Sequence, residues 1–108
     1  MLIVYITCSN AGEAKKIALA LLKNRLIACA NIVPKISSIY RWKGKIVHDS
    51  ESLLLCKSSQ KKVAAVKREV EKIHSYKVPC IEFIKVAGRN VDCKKWLLGE
   101  LELSFKQK

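Results

Sequence analysis

The stretch of sequence that decides the fold covers residues 27–57 and reads IACANIVPKISSIYRW–KG–KIVHDSESLLLCK. Its first part, residues 27–42, is rich in β-branched and aromatic side chains and shows no helical period, which predicts a strand. Lys43 and Gly44 supply a short turn, since glycine accepts positive φ. Residues 46–57 predict a returning strand, so the whole stretch predicts a long antiparallel hairpin.

The length of this hairpin predicts an oligomer. Its first strand would span roughly 50 Å when extended. A compact domain of 108 residues is only about 35 Å across, because its radius of gyration is about 13 Å. The strand must therefore bend at Pro34 or project beyond its own domain. A projecting hairpin that carries Tyr40 and Trp42 exposes apolar surface and unpaired edges, which further copies of the chain would cover.

Outside the hairpin the pattern predicts three helices and two more strands. Residues 2–8 form a continuous apolar run, typical of a strand buried on both faces. Asn10 and Glu13 have the spacing of a helix cap and precede an amphipathic helix. Ser59 is predicted to cap a second helix, and residues 80–87 predict the fourth strand. A last helix is expected to turn these side chains inward: Trp96, Leu97, Leu101 and Phe105.

This order of elements, β-α-β-β-α-β plus a C-terminal helix, indicates the α+β class. It is typical of the ferredoxin-like fold, an antiparallel four-stranded sheet with helices on one face. The length of the chain leaves no room for a second core, so residues 1–108 are expected to form a single domain.

The charge first suggests a polyanionic partner, because 21 Lys and Arg oppose 9 Asp and Glu, a net charge of +12. The basic residues, however, are spread along the chain as short pairs on polar helix faces, which is typical of a solvated surface. Ferredoxin-like sheets that bind RNA stack bases on central aromatic residues, and only Tyr5 and Phe83 are candidates for that role. Nucleic acid is therefore the less favoured partner.

The cysteines indicate a reducing compartment. The five cysteines are odd in number and include no CxxC pair, and residues 1–7 lack the basic start of a secretory signal. No apolar stretch approaches the roughly 20 residues that a membrane helix needs. We therefore expect a cytoplasmic protein without a membrane partner.

The sequence favours binding over catalysis. It contains no Ser-His-Asp arrangement that can be argued and no glycine-rich phosphate loop, so we expect no enzyme. No spacing of metal ligands such as CxxC or HExxH is present, but a site could assemble in space from Cys8, Cys29, His74 and Cys80. Thiolate and imidazole ligands suit copper or zinc. The alternative is that the thiols are inert and buried and that His74 is a surface residue.

Four segments together resemble the CutA divalent-cation tolerance family: residues 7–9 (TCS), 26–34 (LIACANIVP), 38–46 (SIYRWKGKI) and 74–79 (HSYKVP). The resemblance covers nearly the whole chain in the same order. It implies a fold similar to that of the PII signalling proteins, assembled as a trimer in which the long strands pair between subunits. It also implies a link to metal tolerance, chiefly copper. A small-molecule sensor of the PII kind is the alternative function.

The resemblance also implies where ligands bind. His74 matches the histidine of the family's proposed metal site, and Cys8 lies two residues after the position of its thiol. The family's usual Pro is Ser75 here, and its usual Glu is Cys80, a softer ligand. Clefts between subunits would hold a metal ion or a small anion near Lys43 and Lys77. The hairpin and cleft residues implied by the resemblance are Tyr40, Trp42, Lys43 and Tyr76.

Overall fold

The computed structural model describes residues 1–106, with side chains for residues 1–102, so the predicted packing of Phe105 lies outside the described part. The helices and strands follow in the predicted order. The elements are β1 (Leu2–Cys8), α1 (Ala11–Lys23), β2 (Cys29–Trp42), β3 (Lys45–Ser58), α2 (Val63–Ile73), β4 (Ile81–Lys85) and α3 (Val91–Lys106), with one 3₁₀ turn at Gln60–Lys62.

The four strands form one antiparallel sheet in the order β2-β3-β1-β4. Helix α1 packs across β1, β2 and β3 and contacts α2, so these two helices cover the same face of the sheet. The core between them and the sheet consists of aliphatic side chains and two thiols: Val4, Ile6, Cys8, Ala14, Ile17, Ala18, Leu21, Ile27, Leu54, Cys56, Val66 and Val70. The α+β class and the ferredoxin-like order are confirmed.

The expectation that β1 is buried on both faces is wrong within one chain. Burial alternates along β1, so one set of side chains enters the core and the other lies on the face away from α1 and α2. Residues paired across an antiparallel ladder share a face, which places Tyr5 beside Leu55 and Ile3 beside Ile84. We call this uncovered apolar surface the open face; its side chains are Ile3, Tyr5, Val33, Leu53, Leu55 and Ile84.

The hairpin both bends and projects. The ladder between β2 and β3 shifts register between Val33 and Ile36, which is a β-bulge around Pro34. Strand β1 pairs only with residues 52–58 of β3, so the outer half of the hairpin has no third strand. The molecule is accordingly 51 Å long but only 28 and 22 Å in the other directions. Its radius of gyration of 14.9 Å exceeds the value of about 13 Å expected for a compact chain of this length.

The turn of the hairpin has positive φ at both central residues, 50° at Lys43 and 79° at Gly44, as in a type I′ turn. We expect Gly44→Ala to lower the free energy of unfolding by about 1–2 kcal/mol, because a Cβ disfavours this backbone region. Gly88 is the matched control, since it has no positive φ and open space around it. Gly88→Ala should stay within about 0.5 kcal/mol of the parent protein in urea unfolding. Equal effects of the two changes would contradict the turn assignment.

Two details of the helices differ from expectation. Ser59 precedes the 3₁₀ turn, but its side chain makes no capping hydrogen bond. On α3, Leu97 and Leu101 are fully buried, whereas Trp96 is 46% exposed. The prediction that Trp96 packs inward is wrong. Trp96 directly precedes the buried Leu97, and neighbouring residues on a helix point about 100° apart, so its side chain lies away from the buried side of α3. The predicted fourth strand is also shorter, so Cys80 precedes β4 and is exposed.

Candidate functional site

One thiol, one carboxylate and one imidazole come together where β1 ends. Cys8 is the last residue of β1, Glu13 lies in the first turn of α1, and His74 follows the last residue of α2. Each offers a ligand atom, and these atoms all lie within 4.8 Å of one another. Cys8 and His74 are buried, and Glu13 is partly buried. In the part of the chain that the structure describes, this is the one such group of three.

Glu13 links the helix cap to the segment after α2. The predicted cap is confirmed: Asn10 Oδ1 accepts a hydrogen bond from the Glu13 N–H at 2.8 Å. Glu13 Oε1 in turn accepts hydrogen bonds from the N–H and the hydroxyl of Ser9, both at 2.8 Å. Burial alone would raise the pKa of this carboxyl, but the hydrogen bonds from Ser9 and Ser75 outweigh burial and lower its pKa to about 2. Glu13 is therefore a fixed negative charge beside Cys8 and His74.

Hydrogen bonds fix the orientation and the tautomer of His74. Its Nδ1 accepts the backbone N–H of Tyr76 at 3.1 Å, so this nitrogen carries a lone pair. Its Nε2 lies 2.9 Å from the carbonyl oxygen of Thr7, which can only accept, so Nε2 carries the proton. The Nδ1 atom also lies 3.8 Å from Glu13 Oε2. A metal ion at this nitrogen would have to displace the hydrogen bond from Tyr76.

The thiol of Cys8 is protonated near neutral pH. Burial, together with the negative charges of Glu13 and Glu51, raises the pKa of Cys8 to about 12. The thiolate is the form that binds metal. Binding a cation here must therefore expel one proton from Cys8.

Ser75, which replaces the usual Pro of the family motif, adds a contact to this site. Its backbone N–H donates to Glu13 Oε2 at 2.7 Å. Proline has no N–H, so it could not make this hydrogen bond. The substitution therefore tightens the attachment of the His74 segment to α1.

The low pKa of Glu13 predicts an acid-sensitive contribution to stability. Because its pKa falls from 4.5 to about 2 on folding, Glu13 stabilises the fold above pH 4.5, and this contribution is lost as the pH falls towards 2. We expect a loss of about 2 kcal/mol over this window, a value reduced for partial exposure.

Ser75→Pro provides the matched test of this contribution in urea unfolding at about pH 7 and about pH 2.5. His74, the preceding residue, already has the extended backbone that proline favours, with φ −72° and ψ 142°. We expect the variant to be less stable at neutral pH and to lose less stability on acidification. An unchanged acid limb in both Ser75→Pro and Glu13→Gln would contradict the assignment.

A second pair of side chains extends the site towards the hairpin. The hydroxyl of Tyr76 donates to Glu51 Oε2 at 2.6 Å, and the Tyr76 ring lies 4.6 Å from the ring of His74. Burial and the hydrogen bond to Glu51 raise the pKa of Tyr76. Farther out, the hydroxyl of Tyr40 donates to Asp49 Oδ2 at 3.1 Å. Tyr76 thus belongs to the cluster at the base of the hairpin, and Tyr40 lies on the projecting part.

The other predicted ligands lie apart from the cluster in a single chain. Cys29 pairs with Lys57, whereas Cys8 pairs with Ser52. This register puts the two thiols on opposite faces of the sheet, about 17 Å apart along the strands. Cys80 is exposed before β4 and is outside the group of three.

The remaining hairpin residues lie at its tip. Trp42 is 50% exposed at the end of β2, and Lys43 is exposed in the turn. Neither residue reaches the cluster through a hydrogen bond or an ion pair among the described side chains.

The sequence did not identify Glu13 as a site residue, because its spacing from Asn10 already explained it as a helix cap. The sequence did not identify Glu51 either, because an acidic residue in a polar strand segment is usually exposed to solvent. The structure shows it 7% exposed and bonded to Tyr76. The spacing from β1 could have identified Glu13. It lies four residues, about one helical turn, after Ser9, which directly follows Cys8. Such a position brings its carboxylate back to the end of β1.

The donor set fits a cation such as Zn²⁺ or Cu²⁺ in chemical type. One thiolate, one imidazole and one carboxylate are common ligands of these ions. Tetrahedral coordination places donor atoms about 3.5 Å apart, so the described separations of up to 4.8 Å require a small contraction. Cation binding here requires Cys8 to lose its proton and His74 Nδ1 to lose the hydrogen bond from Tyr76.

Fold and site together define a small ferredoxin-like protein with a long projecting hairpin and a thiol–imidazole–carboxylate cluster at the end of its first strand. The family model described as "CutA1 divalent ion tolerance protein" matches residues 2–100. The chain therefore belongs to the CutA1 divalent ion tolerance family, which is named for tolerance to ions rather than for a reaction.

Relatives and solved structures agree with this assignment. The divalent-cation tolerance protein CutA of Thermus thermophilus is 42% identical over 95 residues, which cover 88% of this chain and 92% of that protein. The human protein CutA is 40% identical over 93 residues, 86% of this chain but 52% of its own length. The Xenopus laevis CutA homolog is matched over 62% of its length, so the chain spans only part of these animal relatives.

Among solved structures, the one described as the periplasmic divalent cation tolerance protein CutA from Archaeoglobus fulgidus superposes with a TM-score of 0.91. It is 36% identical and covers 94% of this chain and all of its own. The Thermus thermophilus structure superposes with a TM-score of 0.87 at 42% identity, covering 90% of this chain and 95% of its own. The overall fold is thus shared with experimentally solved members of the family.

In the described part of the chain, no helix combines the length and the apolar character needed to cross a membrane.

Proposed function

We propose that the protein is a non-catalytic, homotrimeric cation-binding protein that takes up a divalent ion, copper or zinc, at Cys8, Glu13 and His74. The observation that carries this proposal is the convergence of three different ligand atoms within 4.8 Å. The family name supports the class of ligand. Location in the cytoplasm remains a prediction from the cysteine pattern and from the residues at 1–7.

The departures from the family motif bear on this site in different ways. Cys80 is exposed and outside the cluster, so the soft ligand that replaces the usual Glu is not needed for binding within one chain. Ser75 holds Glu13 in place through its N–H. Glu13 supplies the carboxylate of the donor set, and the proposed site is complete without Cys29 or Cys80.

The exposed surfaces support the oligomer. Val33 and Ile84 on the open face are 39% and 50% exposed, and Trp42 on the hairpin is 50% exposed. Strands β2 and β4 are the edges of the sheet, so their outer backbone groups are free to pair with another chain. The number of copies, three, rests on the resemblance to the CutA family. In such a trimer the hairpin tip with Lys43 and the Tyr76 region of a neighbour would border a cleft.

Isothermal titration with Cu²⁺ and, separately, with Zn²⁺ tests the site. We expect His74→Ala to weaken binding by about 100-fold, because it removes one of three protein ligands. His48→Ala is the matched control, since His48 is an exposed histidine on the hairpin, and it should bind as the parent protein does. Weak and identical binding by the parent protein and both variants would refute the site.

A further inference from the structure

The outer surface of α1 combines positive charge with exposed leucines. The residues of α1 that are exposed to solvent are Gly12, Lys15, Lys16, Leu19, Leu22 and Lys23. We call this surface the α1 outer face. It carries three lysines and no acidic residue, and it surrounds a shallow depression lined by Lys15, Lys16, Leu19 and Lys23 among others.

The charge of this face is not neutralised within the chain. The acidic residue of α1, Glu13, is bound to Ser9 and Ser75 at the other flank of the helix. Among the side chains that the structure describes, the two ion pairs are Arg25–Glu100 and His74–Glu13, and neither contains a lysine. The three lysines therefore present their full charge to a partner.

The two leucines set this face apart from an ordinary solvated helix face. Leu19 is 48% exposed and Leu22 is 37% exposed, although the opposite side of α1 already supplies the core with Ile17 and Leu21. Leu19 lies three and four residues from Lys16, Lys15 and Lys23, so lysines surround it on the helix surface. Lysine side chains can extend their charged ends past such a leucine while it enters an apolar layer.

From this arrangement we propose that the α1 outer face binds the surface of an anionic phospholipid bilayer. Lysines contact the phosphates, and Leu19 and Leu22 enter the boundary between headgroups and acyl chains. Charge complementarity and the central leucine favour this partner. Nucleic acid offers no apolar counterpart at its phosphates, and the face has no arginine or aromatic side chain to contact bases. The depression on this face is shallow and open, and it offers no deep groove for an acidic peptide.

This binding differs from the expectation of no membrane partner, which considered only segments that cross a bilayer. A peripheral contact depends on which side of α1 each residue occupies. The sequence did not indicate that Leu19 is exposed, whereas the structure shows that it is. The α1 outer face points away from the sheet. It therefore stays accessible when further copies cover the open face.

Co-sedimentation with vesicles tests the proposal. We expect binding to vesicles of phosphatidylcholine mixed with phosphatidylglycerol, little binding to phosphatidylcholine alone, and release by salt. The double variant Lys15→Gln/Lys16→Gln should bind about 30-fold more weakly, since two cations near the surface are lost. Leu19→Ser, which leaves the charge unchanged, should bind about tenfold more weakly.

Two control variants separate this face from the overall charge. Lys94→Gln/Lys95→Gln makes the same charge change on exposed residues of α3, and Val91→Ser makes a similar apolar-to-polar change at an exposed position. Both should bind vesicles as the parent protein does, and circular dichroism should show all variants folded.

Three results would overturn the proposal. No binding to the anionic vesicles would exclude the partner. Equal losses of vesicle affinity in the α1 and α3 lysine variants would show that binding depends on the net charge of the protein and not on the α1 outer face. If Leu19→Ser bound vesicles as tightly as the parent protein while duplex DNA competed for the same lysines, the face would be a polyanion site without a membrane role.

Discussion

Replacing Cys8 by serine is expected to weaken Zn²⁺ binding at neutral pH by at least about 100-fold and to remove most of its pH dependence. The thiol of Cys8 has its pKa raised to about 12 by burial and by Glu13 and Glu51. Each ion bound therefore expels one proton from Cys8, and the affinity of the parent protein should rise about tenfold per pH unit around neutrality. Serine offers no comparable thiolate, so this slope should flatten. Zn²⁺ is the suitable probe, because unlike Cu²⁺ it does not oxidise thiols.

Cys80→Ser is the matched control for this result. Cys80 is also a free thiol, but it is exposed and outside the cluster. Calorimetry in buffers of different ionisation enthalpy counts the protons released by the parent protein and by each variant. Equal affinity and equal proton release in the parent protein and Cys8→Ser would show that this thiol is not a ligand. An equal loss in Cys80→Ser would show that the cysteines bind metal nonspecifically.

Placing aspartate at Leu55 is expected to dissociate the oligomer. Leu55 lies in the middle of the open face, beside Tyr5 on β1 and Asn31 on β2. A carboxylate at this position would be buried without a partner in the assembly, and we expect the dissociation constant to rise by more than about 100-fold. The core of a single chain should be little affected, because Leu55 points away from α1 and α2.

Sedimentation equilibrium measures this effect. The parent protein should sediment as a particle of about 37 kDa, three chains of 12.2 kDa each, and Leu55→Asp as the single chain. Leu19→Asp serves as the control, since it adds the same charge on the outer face of α1. Circular dichroism should show that both variants keep their helices. An unchanged mass for Leu55→Asp, or a monomeric parent protein, would contradict the proposed assembly.

The long hairpin could be predicted because its evidence is local and one-dimensional. The β-branched and aromatic side chains before Lys43 and Gly44, and the mismatch between strand length and domain size, are properties of the sequence. The bulge at Pro34 and the projecting end then follow together from chain geometry. The first turn of α1 was predictable for the same reason, since the cap of Asn10 on Glu13 spans only three residues.

The site was predicted only in part, because its contacts join residues far apart in the chain. Cys8 and His74 were named from their chemistry and from the resemblance. The contact between Ser75 and Glu13 depends on how α2 ends against α1, which no local pattern encodes. Trp96 was predicted wrongly for a related reason. Which side of α3 is buried depends on how the helix packs against the rest of the chain, and the buried side contains Leu97 and Leu101 but not Trp96. Cys29 begins β2 and Cys80 precedes β4, and neither belongs to the group of ligand atoms at the end of β1.

Anomalous diffraction from crystals soaked with Zn²⁺ tests the central claim most directly. We predict one strong peak per chain within coordination distance of Cys8 Sγ, Glu13 Oε2 and His74 Nδ1. The backbone N–H of Tyr76 should be displaced from that nitrogen. The claim would be contradicted by crystals in which this position is empty while zinc occupies only exposed groups such as Cys80 or His48.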